Sequence, residues 1–81
     1  MTKAQGEFAD YLITVTFNDC LADGTFFPDS SKYTLAEAEM LLDLYDEFDE
    51  DNIYKDVKRS KAFVKTLAKM MDDFYIKNYN Y

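Results

Sequence analysis

Histidine and tryptophan are absent from this chain, and it holds one cysteine, one proline, one arginine and two glycines. Each shortage excludes something. Without histidine the commonest general base is missing, and with it the usual partner of a serine or cysteine nucleophile, so histidine-based triads are ruled out. With Gly6 and Gly24 as the only glycines, neither a GxxxxGK[ST] phosphate loop nor a GxSxG elbow can be written. Cys20 has no second cysteine for a disulfide and no histidine with which to share a zinc ion. No apolar run approaches the roughly 20 residues needed to cross a bilayer. The opening MTKAQGEFAD has neither the basic nor the continuous apolar stretch of an export signal. These absences lead us to expect a cytoplasmic protein that is not an enzyme, with no cofactor, metal or membrane contact.

What is present points to a packed fold. Of 81 residues, 48% are hydrophobic and 17% are Phe or Tyr, which is too apolar for a disordered polymer and sufficient for one modest core in a single domain over 1–81. The net charge is −7 and unevenly spread: 13 of the 16 acids precede Lys55, whereas seven of the nine basic residues lie from Lys55 onward.

The expected fold is α+β, a short hairpin followed by two amphipathic helices. From Asp10 to Asn18, Tyr11, Ile13, Val15 and Phe17 alternate with polar residues and only Leu12 breaks the period of two, the pattern of a half-buried strand. Asp23-Gly24 would supply the turn, and Thr25, Phe26 and Phe27 the return. The alternative is an all-α three-helix bundle. In it Thr2 and Gln5 form a capping box, Gly24 stops a helix that ends at Ala22, and the β-branched run from Ile13 to Thr16 is the objection. Further on, Thr34 and Glu37 form a second capping box, and Leu35, Ala38, Leu41, Leu42, Tyr45 and Phe48 then share one side of a helix ending near Asp49 to Asn52. Beyond Ile53, either one continuous helix follows, or a strand or turn at IYKDV and a helix that begins after Ser60. Val57, Val64, Leu67, Met71, Phe74 and Tyr75 line its apolar side, and Lys58, Lys61, Lys65 and Lys69 lie mostly on its back.

The segment LLDLYDEFDEDNIYKD carries the most concentrated charge. Glu39, Asp43, Asp46, Glu47 and Glu50 fall away from the apolar side, and Asp49 and Asp51 extend the row past the helix end. Like charges three or four residues apart weaken a helix slightly, and acids near its C-terminal end oppose the dipole, so stability alone would not choose them. Ligand order argues against a calcium loop: DEFDEDNIYKDV has no glycine and no closing Glu, and DCLADGTFFPDS has Gly24 at the sixth position but Leu21 at the third and Ser30 at the twelfth. The bland reading is a solvated face that keeps a small protein soluble.

The functional reading is a charge ladder resembling the phosphates of a nucleic acid. Phage-encoded inhibitors that occlude DNA-binding enzymes share this acidic, small, non-catalytic character, as class-level analogy only. The expected partner is therefore a basic nucleic-acid-binding protein such as a nuclease, repair enzyme, polymerase or CRISPR effector, with no direct nucleic-acid binding. The expected contact residues are Glu39, Asp43, Asp46, Glu47, Asp49, Glu50, Asp51 and Tyr54, and a homodimer is compatible with the composition. An adaptor binding through an apolar and tyrosine surface is the second reading. A small DNA-binding regulator using the lysine helix is the third, weakened by the single Arg59.

Overall fold

In the computed structural model, which describes residues 1–28 and 32–79, the chain forms three helices, and no strand occurs among the described residues. Helix α1 spans residues 3–22 as an α-helical segment Lys3–Tyr11, a π-helical stretch Leu12–Phe17 and an α-helical end Asn18–Ala22. Helix α2 is Leu35–Phe48 and helix α3 is Lys61–Tyr79. The expected hairpin between Tyr11 and Phe27 is therefore corrected: its first strand is helix through Ala22, its turn follows that helix, and residues 25–27 form no strand, so the three-helix alternative fits.

Local chemistry starts and stops α1 as the alternative requires. The Thr2 hydroxyl accepts from the Gln5 N–H at 3.1 Å, and the Gln5 side-chain oxygen accepts from the Thr2 N–H at 2.9 Å. At the other end Gly24, at φ +84°, donates to the Leu21 carbonyl while Thr25 donates to that of Cys20, the paired closure that glycine makes without steric cost.

The alternation misled because burial follows a helical course instead. Phe8, Ala9, Leu12, Ile13, Phe17 and Leu21 are buried, whereas Val15 is exposed. Leu12, the residue that broke the strand pattern, is among the most buried in the protein. Positions 9, 13, 17 and 21 advance by four, more than the 3.6 residues of an α-turn. The wider turn of Leu12–Phe17, in which the Asn18 N–H reaches back to the Ile13 carbonyl, keeps them on one side. There the Thr14 hydroxyl also donates to the Asp10 carbonyl at 2.8 Å. Burial thus overrides the weak helix propensity of the β-branched run.

Helix α2 opens on the expected capping box, Thr34 with Glu37. Its buried residues are Ala38, Leu41, Leu42 and Tyr45. Leu35 and Phe48, expected on the same covered side, stand exposed at the two ends, where neither neighbouring helix covers them. A turn at residues 53–56 follows, and α3 begins after Ser60, whose hydroxyl accepts from the Phe63 N–H at 3.2 Å. Phe63, Val64, Leu67, Ala68 and Met71 bury its inner side.

The three helices share one core with two aromatic centres. Phe8 packs against Tyr45, Tyr54 and Phe63 at centroid distances of 5.0, 5.2 and 5.7 Å. Phe17 packs against Tyr33, Phe74 and Phe26 at 5.3, 5.9 and 6.2 Å. Among the described residues no helix is long and apolar enough to cross a membrane.

Candidate functional site

The acidic row survives folding as an exposed surface, with two exceptions. Glu39, Asp43 and Glu47 are exposed along α2 at intervals of four residues, about 6 Å of rise each, and Glu50 and Asp51 are exposed just beyond its end. Asp46 is engaged: Arg59 grips it with two nitrogens at 2.6 and 2.7 Å. That hydrogen-bonded guanidinium, acting against partial burial, holds the Asp46 carboxyl below its usual range. Asp49 is half-buried and turns back on the chain, accepting from the Asn52 N–H at 3.1 Å.

Tyr54 lies elsewhere. Its ring stacks on Phe8 and sits 5.6 Å from Tyr11, half-buried in the aromatic cluster rather than presented with the exposed acids. Arg59, whose guanidinium also lies 5.4 Å from the Phe8 ring centroid, is committed to the fold on two counts. Lys58, Lys61, Lys65 and Lys69 are exposed, and among the described residues none of them pairs with the acids of α2.

The structure adds a feature that the sequence reading missed. Between the π-helical part of α1 and the C-terminal end of α2 runs an open groove of about 730 Å³. Tyr11, Val15, Cys20, Leu44, Tyr45 and Phe48 form its apolar lining, and Asp19, Asp23, Asp49, Glu50 and Asp51 supply five carboxylates. No basic residue among those described lines it. Of the expected row, then, three members join this groove with Asp19 of α1 and Asp23 just past its end. Asp19 and Asp23 were passed over because a hairpin would have carried them off in a turn. The Thr2–Gln5 box and the Gly24 stop were the signals that place them on a helix end.

No family model, curated protein or solved structure matches the chain. Its chemistry is accordingly read from the groups themselves. Burial, followed by the Asp19 and Asp23 carboxylates, pushes the Cys20 thiol up, away from the thiolate that a nucleophile needs. Burial first and the Asp49 carboxylate second push the Tyr11 phenol up as well, so it stays neutral beside the acids. Among the described residues no three carboxylates or thiols converge to hold a metal ion. The second calcium-like stretch, from Asp19, begins in helix, and its Asp29 and Ser30 lie outside the described residues. The arrangement offers a fixed negative field beside uncovered apolar surface.

Proposed function

We propose that this protein is a non-catalytic inhibitor that binds a basic nucleic-acid-binding protein and excludes DNA or RNA from its channel. The observation that carries the reading is the run of exposed carboxylates Glu39, Asp43 and Glu47, held by α2 at intervals of four residues and continued by Glu50 just past its end, while Asp46 is neutralised by Arg59. A rigid ladder of negative charge competes for cations that otherwise contact phosphates, and it steers association at low salt. A nuclease, repair enzyme, polymerase or CRISPR effector carries a channel of the required sign.

Replacing Glu39, Asp43, Glu47 and Glu50 together by Gln or Asn, and sparing Asp46, tests this. Folding should survive, and binding to nucleic-acid-binding proteins retained from a host-like lysate should weaken by several kcal/mol and fall with ionic strength. Neutralising Lys58, Lys61, Lys65 and Lys69 should change binding far less. A ternary complex of this protein, its partner and nucleic acid would refute the occlusion mechanism.

An adaptor reading has its own support in Phe48 and Ile53, which are 70% and 73% exposed. Docking through those residues would be insensitive to salt, which separates the two. Direct DNA binding by the lysine helix is disfavoured because the chain's one fork-shaped donor, Arg59, lies before that helix and is spent on Asp46.

A further inference from the structure

The groove between α1 and α2 combines two surfaces that no single simple ligand satisfies. Phe48 and Val15, 70% and 40% exposed, leave apolar area in water on its lining. Asp19, Asp23, Asp49, Glu50 and Asp51 stand around it with no cation among the described lining residues. A nucleic acid would be repelled. A purely apolar ligand would strip water from the carboxylates without replacing it, which is costly. A purely cationic one would leave Phe48 and Val15 uncovered.

Two further observations concern residues that line the groove. Val15 and Thr16 reach it from the π-helical stretch, and such wide turns recur at functional sites because they re-aim side chains. The Tyr45 hydroxyl, on a residue that also lines the groove, is buried with no hydrogen-bond partner among the described residues. The Asp49 carboxylate and the Tyr54 backbone lie near it, but neither closes a bond of proper geometry. A volume of about 730 Å³ accommodates several side chains of an incoming segment.

We propose that this groove seats an amphipathic, lysine- or arginine-bearing segment of the protein's partner, with its apolar side chains on Val15 and Phe48 and its cations against the five carboxylates. The proposal rests on the reading that the partner is a basic protein and names the part of that partner which this chain grips. It makes binding two-part: the α2 acids meet the partner's channel, and the groove holds an adjoining segment by its mixed character.

The test uses two synthetic probes, an amphipathic helical peptide of leucine and lysine and an oligolysine of equal charge, titrated into the intact protein and followed by calorimetry and amide chemical shifts. The amphipathic peptide should bind at least about tenfold more tightly than oligolysine, a margin of about 1.4 kcal/mol. Its shifts should centre on Val15, Cys20 and Phe48. Val15→Ser with Phe48→Ser should abolish that margin, whereas Glu39→Gln, Asp43→Asn and Glu47→Gln together should preserve it. Equal binding of both peptides, or shifts centred on Glu39, Asp43 and Glu47, overturns the groove assignment and leaves the acidic-ladder reading standing. Failure of both peptides to bind overturns both. Because the shift map is read on the unaltered chain, misfolding of a variant does not rescue the idea.

Discussion

The aromatic cluster around Phe8 and the groove beside it share Tyr11 and Tyr45, yet they handle charge and apolar surface in opposite ways. Around Phe8, rings close on rings, and Arg59 covers the outside while its charge is cancelled by Asp46. In the groove, Phe48 and Val15 remain exposed, and five carboxylates stand without a cation among the described lining residues. The lesson is that the two sides of one helix contact divide the work: one contributes stability by burying its rings and pairing its one guanidinium, and the other keeps interaction capacity by leaving apolar surface and carboxylates open to solvent.

The sharpest way to break that comparison is at Phe8, which is fully buried. Phe8→Ala empties the centre of three ring contacts and should cost about 3–5 kcal/mol, much of the total margin of so small a domain. Denaturant unfolding should show the midpoint collapse, and an unchanged midpoint would mean that the cluster is not the anchor described.

Asp46 tests the cancellation of charge. Its carboxyl titrates below the usual range because Arg59 holds the ionised form. A depressed folded-state pKa contributes stability above the unfolded value of about 3.9, and that contribution disappears as pH falls through the folded value. Since the Asp46 side chain is 44% exposed, solvent screening limits the effect, and Asp46→Asn should cost no more than about 1 kcal/mol at pH 7. Melting curves of parent and variant should converge well below pH 4, and a gap that widened there would reverse the sign.

The groove side should barely respond. Phe48→Ser removes an apolar side chain that the fold leaves uncovered, so stability should stay within about 0.5 kcal/mol of the parent. A loss comparable with that at Phe8 would show Phe48 to be a core residue and erase the distinction between the two sides.

Short-range signals by themselves determined several elements of this protein. Thr34 with Glu37 starts α2, Ser60 precedes α3, and Thr2 with Gln5 and Gly24 bracket α1. Each works through hydrogen bonds between residues close in sequence, which is why it is legible there. The concentration of acids from Glu39 to Asp51 is likewise local, and helical spacing suffices to turn most of them outward.

Tertiary structure decided the rest. Whether 11–22 became strand or helix depended on what covered it, because Tyr11, Ile13, Val15 and Phe17 fit a strand while Phe8, Leu12, Ile13, Phe17 and Leu21 fit a helix with one wide turn. Only the neighbouring helices, by burying Leu12 and leaving Val15 in water, settled the choice. The partner of Asp46 lies 13 residues away, across a turn whose shape no local rule specified. The groove exists because α1 and its C-terminal cap set Asp19 and Asp23 beside Asp49, Glu50 and Asp51, residues brought together by packing of the apolar sides of two helices and by nothing in their own chemistry.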